Sequence, residues 1–487
     1  MAEVRTRFAP SPTGYLHVGS LRTVLFAYLI AKSLAGKLIL RIEDTDQSRK
    51  VAGAEKKMIK ILDWLGFKFD EGPALIAQAK KDIGDYGPYV QSQRSLIYQK
   101  YANELIDKGE AYYCFCSAER LAKMRSEQQA EKMPPRYDRR CRYLDKKEIK
   151  ERLANNEKYV IRQKLPLEGE VIVNDVLRGK IKFRAEDLED QILLKSDGMP
   201  TYHLAVVVDD HLMKISHVVR GEEWIPSFPK NILLYQAFDW QPPVFIHLPL
   251  TLNKGGGKLS KRQGDTAVED YRDKGYLPAA LINFSALLGW RPKHDKEIFS
   301  LKQLIKEFKI KDIGTSPAVF DIEKLDYLNG YFIRQMDIEK LVELCRPYLK
   351  NISGQTSEYI KSVIALEQER LKKISDIAGL IDFFFLDKLD YPKELLIWKK
   401  LTLDQATANM NNLYKILVEI PDKKWNKEKL EKIILKYLNK NNLKTGEYLW
   451  PLRVALTGRK ASPGPFEVAS ILGKEKSLDR INQASKQ

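Results

Sequence analysis

Apolar and polar positions follow two rhythms along the chain, and the rhythm changes twice. Residues 4–9 read as a short strand that runs into a Pro-Ser-Pro-Thr-Gly loop. Over residues 21–34, apolar side chains recur at Leu21, Val24, Leu25, Leu29 and Ile30, the spacing of one helical face. Gly36 stands where a C-terminal cap is expected. Residues 37–43 (KLILRIE) form an apolar run of strand length, and residues 52–65 read as a second helix stopped by Gly66. A strand–loop–helix–strand succession belongs to a parallel, doubly wound sheet.

Residues 96–190 break that rhythm with mixed short elements, cysteines and basic clusters such as Arg139-Arg140-Cys141-Arg142. The α/β pattern then resumes. Residues 192–195 and Thr201 onward flank a Ser-Asp-Gly-Met-Pro turn. A strand is predicted at 215–219, a helix at 226–238 and a strand at 244–250. After about residue 270 helical spacing dominates, as in 360–374 and 427–437. The fold class expected is α/β. A Rossmann-like parallel sheet (1–95 and 191–265) is interrupted by an inserted α+β domain (96–190). Helical domains follow at 266–330 and 331–487.

Composition agrees. For 487 residues, a prior of roughly 150 residues per domain gives about three domains. The 44% hydrophobic and 30% charged content is that of a globular protein, not a disordered one. No apolar stretch reaches the ~18 residues a membrane helix needs, and the first residues lack the apolar core of a signal peptide. Four cysteines are too few for a disulfide scaffold at this length, so a reducing, cytoplasmic compartment is expected. The net charge of +17 suits a phosphate-backbone partner, although Lys-rich solubility alone would also produce it.

Two loops carry candidate chemistry. The first runs from Pro10 through His17, Gly19 and Ser20 into the helix near Leu21. A glycine-containing turn at a helix N-terminus offers free N–H groups and a positive dipole end to phosphate. His17 can donate to a phosphoryl oxygen, and Gly19 allows close backbone approach. An ordinary capped βα turn is the alternative. The second is Lys254-Gly-Gly-Gly-Lys258-Leu-Ser-Lys261-Arg262, whose glycines and cations suit a mobile clamp on departing pyrophosphate, or simply a solvated basic loop.

Together the two loops bracket both α/β halves, and here the chain resembles the class I aminoacyl-tRNA synthetases. Their HIGH and KMSKS motifs correspond to His17-Val-Gly-Ser20 and Lys258-Leu-Ser-Lys261-Arg262. The resemblance is closest to the bacterial-type glutamate members. It runs through RFAPSPTG from Arg7, RIEDTD from Arg41, YHLA from Tyr202, VDDH from Val208, RGEEW from Arg220 and PLRVALTG from Pro451. It implies an ATP-dependent ligase that joins L-glutamate to tRNA(Glu), with tRNA(Gln) a further substrate in some members. Magnesium would accompany the ATP phosphates. It places Arg7, Ser11, Glu43, Tyr202 and Arg220 at the amino acid, where an arginine fork suits a carboxylate. Surface ion pairing is the alternative fate of each arginine. It places His17, Gly19, Glu223 and Lys261 at ATP, with His17, Lys258 and Lys261 as the catalytic groups. It also implies a monomer, no membrane partner, and a tRNA requirement for adenylate formation.

In the insert, Cys114, Cys116 and Cys141 suggest a structural zinc site. The family often closes this site with a histidine, where this chain has Tyr143; a phenolate, a water, or loss of the metal are the readings left open. Cys345 reads as a small core residue. The resemblance further implies that the insert holds the tRNA acceptor end, with Arg136, Arg139, Arg140 and Arg142 meeting phosphates. Residues 266–330 would contact the stem, and 331–487 the anticodon. Three rivals fit less well. A glutamine enzyme would have β-barrel anticodon domains, a nucleotidyltransferase would not need the basic helical half, and a nonenzymatic RNA binder would not need the two loops.

Overall fold

A computed structural model describes residues 3–76, 79–257, 266–350 and 352–486 of the chain. Strand β1 (Arg5–Phe8) is buried throughout and leads through the Pro-Ser-Pro-Thr-Gly loop into helix α1 (Val18–Ser33). The helix is buried on nearly every side because it packs on the sheet and also against helices Pro278–Leu287 and Leu301–Glu307. Its exit differs from the expected glycine cap. Ala35 takes the left-handed conformation, while Gly36 donates back to the Ala31 carbonyl. A Cβ at Gly36 would overlap the Val4 backbone, so close chain crossing is what requires that glycine. Strand β2 (Lys37–Leu40) and helix α2 (Ala54–Trp64) follow.

The insert contains β3 (Ala111–Cys114), β4 (Val160–Gln163) and a hairpin of β5 (Glu170–Asp175) and β6 (Gly179–Arg184). Strand β7 (Ile192–Leu194) pairs antiparallel with β4, so the run at 192–195 completes the insert's sheet rather than the parallel one. The parallel sheet resumes with β8 (His217–Gly221) and β9 (Val244–Leu248). Between them a 3-10 turn (Glu222–Ser227) precedes helix Phe228–Ala237, later than predicted at 226.

The main sheet is wholly parallel, in the order β2-β1-β8-β9. From β1 the chain crosses first to β2 on one side and later to β8 on the other. The C-terminal ends of β1 and β8 therefore flank a topological switch point, where doubly wound sheets bind ligands.

Two compact units are present, Met1–Asp273 with Pro278–Ile322, and Lys274–Leu277 with Glu323–Gln487. Among the described residues no strand follows Val319. That removes the β-barrel alternative for the C-terminal part. The helix predicted at 360–374 is Ser357–Glu367 followed by 3-10 turns, and the one at 427–437 extends over Lys427–Lys440. Among the described residues no helix is long and apolar enough to cross a membrane.

Candidate active site

A cavity of about 370 Å³ opens at the switch point. The loop after β1 supplies Ser11 and His17, the end of β1 supplies Arg7, and the segment after β2 supplies Glu43. Tyr202 comes from the start of its helix, and Arg220 and Glu223 from the end of β8 and beyond. Seven residues expected from sequence thus meet in one place. Gly19 lines an adjoining cavity of about 330 Å³ that shares His17 and Glu223. Lys258 and Lys261 lie outside the described residues.

One side of the cavity rests on a buried charge network. Arg41, fully buried, donates from Nη2 to Glu43 (2.9 Å) and from Nη1 to Asp210 (2.8 Å). Arg7 donates from Nε to the same Asp210 oxygen (3.2 Å). Neighbouring Asp209 accepts from Arg94 Nε, Tyr98 and Gln91. Burial works against these charges, but Arg7 and Arg41 hold Asp210 below the usual carboxylate range. Burial also pushes the Glu43 carboxyl up, against the pull of Arg41 and Arg7.

Arg220 is placed differently. It is buried on β8, with its guanidinium 5.5 Å and 5.2 Å from the Phe228 and Phe245 ring centres. Its Nε donates to His247 Nε2 (2.9 Å), and its buried Nη2 has no hydrogen-bond partner among the described residues. No ion pair joins it to a carboxylate of those residues, and burial lowers its pKa. A desolvated, unpaired guanidinium is costly unless a ligand anion completes it. Beside it Tyr202 stacks on Trp224 (centroids 4.5 Å apart).

At the other end His17 caps α1. Its Nδ1 accepts from the Gly19 amide (3.0 Å), so the ring is neutral and carries its proton on Nε2. A Cβ at Gly19 would press on that imidazole at 3.2 Å. The first turn of α1 holds no acidic residue, which leaves the positive end of the dipole uncompensated for an anion. Below it Arg22 donates to the carbonyls of Leu288 and Pro249.

In the insert the sulfurs of Cys114, Cys116 and Cys141 lie within 4.8 Å of one another. Tyr143 is not brought to them; it is 71% exposed. Buried Tyr137 is. Its hydroxyl lies 3.2 Å from Cys114 Sγ and 3.6 Å from Cys116 Sγ, and accepts from the Cys141 amide (3.1 Å). The hydrogen bond from Cys141, against the effect of burial and helped by Tyr137, draws the Cys114 thiol well below its ordinary range. Arg120 Nη1 is 3.3 Å from Cys116 Sγ. Cys345 is buried, as a core residue should be.

The arginines expected to meet phosphates are mostly engaged within the protein. Arg142 pairs with buried Asp190 and donates to the Leu165 carbonyl. Arg139 reaches Asp190 and Leu188, and Arg136 reaches Glu186 and Asp187. Arg140 is exposed. Sequence reading also passed over Arg41, Asp210, Trp224 and His247 as individual site residues. The available signal was a charged or imidazole side chain inside an apolar run, as in KLILRIE and VFIHL.

Comparison with known proteins agrees with this geometry. A family model described as tRNA synthetases class I (E and Q), catalytic domain, matches residues 3–327. One described as anticodon binding domain matches residues 340–485. A glutamate–tRNA ligase of Clostridium botulinum is 46% identical over 99% of this chain and 98% of its own length. One from Borrelia recurrentis is 45% identical over 99% and 95%. The crystal structure of a glutamate–tRNA ligase from Elizabethkingia meningosepticum, in complex with its amino acid, superposes with a TM-score of 0.89 at 36% identity, covering 100% and 99% of the two chains. The chain belongs to the class I tRNA synthetases of the E and Q type.

Proposed function

We propose that the protein is a glutamate–tRNA ligase acting on L-glutamate, ATP and tRNA(Glu). The observation that carries this reading is Arg220, a buried arginine in the cavity with no carboxylate partner among the described residues. The side-chain carboxylate of glutamate would complete it. Glu43 would meet the substrate ammonium group, with Arg7, Ser11 and Tyr202 completing the pocket. ATP would lie toward His17, Gly19 and Glu223. There the α1 N-terminus and the His17 Nε2–H would stabilise charge developing on the phosphates.

In the first step an α-carboxylate oxygen of glutamate attacks the α-phosphorus of ATP. Pyrophosphate leaves, and glutamyl adenylate forms. In the second, a ribose hydroxyl of the terminal tRNA adenosine attacks the activated carbonyl and AMP leaves. No side-chain nucleophile is required; the protein aligns the reactants and stabilises charge. Magnesium would screen the ATP phosphates, and Lys258 and Lys261 would clamp the departing pyrophosphate.

The inserted segment (96–190) would hold the acceptor end, the segment at 266–330 the stem, and 331–487 the anticodon. The three clustered thiols suit a structural zinc ion, and their hydroxyl neighbour Tyr137 suits its fourth position better than exposed Tyr143. A cytoplasmic monomer fits this reading.

The test is glutamate-dependent exchange of pyrophosphate into ATP, with and without tRNA. Exchange with glutamate and tRNA(Glu) is expected. Its absence under those conditions, with the protein folded, would refute the assignment.

A further inference from the structure

Strand register places Arg220 and His247 side by side on β8 and β9. His247 is fully buried and accepts from Arg220 Nε through its Nε2 (2.9 Å). Its other nitrogen, Nδ1, is 2.8 Å from Asp175 Oδ2, and its backbone amide donates to the same oxygen (3.0 Å). The second oxygen of Asp175 accepts from the amides of Leu177 (2.9 Å) and Arg178 (3.0 Å). Asp175 is the last residue of β5, in the inserted segment. The adjoining turn is fastened to the same wall. The Val176 amide donates to Phe245 (3.0 Å), and Arg178 pairs with Glu222, next to the ATP-side Glu223.

This arrangement fixes the imidazole. An ionised carboxylate can only accept, so the ring proton must sit on Nδ1 and the lone pair on Nε2. That lone pair engages Nε–H of Arg220. The remaining edge of the guanidinium is Nη1 with Nη2. Nη2 has no hydrogen-bond partner among the described residues, and the Tyr202 hydroxyl also interacts with the guanidinium. The edge can act as a two-pronged donor for a carboxylate. Burial holds His247 in the neutral form, while its contacts hold Asp175 ionised despite burial.

We propose that His247 and Asp175 are positioning residues that set the guanidinium of Arg220 end-on toward a ligand carboxylate, and so contribute to preference for glutamate over its amide. The proposal rests on Arg220 as the carboxylate-binding group. Neither residue touches the substrate; both act through Arg220. The chain is Asp175–His247–Arg220–carboxylate, with each link a hydrogen bond between buried groups. The first residue of that chain comes from the insert, so the pocket is not complete from the parallel sheet alone.

The test uses the full-length enzyme and aminoacylation kinetics for glutamate, glutamine and ATP. His247→Leu keeps the bulk and removes both ring contacts. A buried hydrogen-bonding group left unmatched should raise KM for glutamate roughly ten- to hundredfold. Discrimination against glutamine should fall in parallel, with kcat and KM for ATP within about twofold of the parent. His247→Gln, which can still present an acceptor to Arg220, should recover most of the loss. Asp175→Asn should resemble His247→Leu, since its amide must face either the imidazole N–H or the two backbone donors. It serves as the readout if His247→Leu does not fold.

An unchanged KM for glutamate in the folded variants would overturn the proposal. So would equal rises in KM for glutamate and ATP, the mark of a merely structural role. Arg220→Met separates the two readings. If it leaves KM for glutamate unchanged, the underlying assignment of Arg220 is wrong. If it sharply impairs glutamate use while His247→Leu and Asp175→Asn leave KM for glutamate unchanged, only the positioning role is wrong.

Discussion

Arg41 and Arg220 are both buried arginines beside one cavity, yet only Arg41 is neutralised by the protein itself. Arg41 lies among Glu43, Asp209 and Asp210, and these acids overcome the burial that would lower its pKa. Arg220 has an imidazole, two aromatic rings and no carboxylate of the described residues. A closed network of buried charges holds geometry, because removing one member strands the others. An unpaired buried cation does the opposite, weakening the free protein and waiting for an anion. The pocket thus has a rigid side made by paired charges and a receptive side made by an unpaired one.

Substitutions on the two sides should therefore fail in different ways. Arg220→Met removes two charge-assisted hydrogen bonds to the substrate, roughly 3–5 kcal/mol, and should lower kcat/KM for glutamate by about two to four orders of magnitude. Its melting temperature should hold or rise, because an unpaired buried charge disappears. Asp210→Asn should instead cost about 3–5 kcal/mol of stability, since Arg7 and Arg41 lose their shared partner. Denaturant titration of both variants tests the contrast. Equal destabilisation would mean that Arg220 is also a structural charge.

The sequence made one level of this legible and hid another. Strand and helix periods outlined the parallel sheet, and the motif residues Arg7, Ser11, His17, Glu43, Tyr202, Arg220 and Glu223 do line one cavity. What no local pattern reveals is pairing across distance. Arg41 and Asp210 lie 169 residues apart, and Asp175 and His247 lie 72 apart. Their charge inside apolar runs marks them as buried and therefore partnered, but only the fold says with whom. Tyr137 and Tyr143 show the same limit. Spacing alone does not separate them, and the fold does, by placing the Tyr137 hydroxyl against the Cys141 amide. Strand β7 was misassigned for a related reason, since a three-residue apolar run carries no mark of which sheet it joins.

A third buried charge sharpens the comparison in the other compact unit. Glu367 is fully buried, its carboxylate makes no hydrogen bond among the described residues, and Arg370 approaches it at 3.4 Å. Burial lifts its pKa from the ordinary 4.5 to about 7. Because the folded value is the higher one, the folded state binds the extra proton, and stability falls as pH rises from about 4.5 and levels off above 7. The displacement corresponds to roughly 3 kcal/mol at most. Glu367→Gln should flatten that slope and stabilise the protein at pH 8, read as a change in the denaturant midpoint between pH 5 and 8. A slope unaltered by the substitution would mean that Glu367 is compensated as fully as Asp210.

The smallest expected effect tests whether the two ends of the cavity are separable. Gly221 has an ordinary extended backbone (φ −73°, ψ 154°), so alanine fits its conformation without strain. The space is what forbids it, because a Cβ would overlap the carboxylate of Glu223, folded back against the main chain. Gly221→Ala should therefore push that carboxylate aside and leave the strand, Arg220 and the buried network in place. If Glu223 serves the nucleotide end, KM for ATP should rise about tenfold, the loss of one hydrogen bond to a polar ligand group. KM for glutamate and the melting temperature should stay close to those of the parent. A matching rise in KM for glutamate would show that the displaced carboxylate reaches Arg220, and the receptive side of the pocket would then extend across both substrates rather than ending at the amino acid.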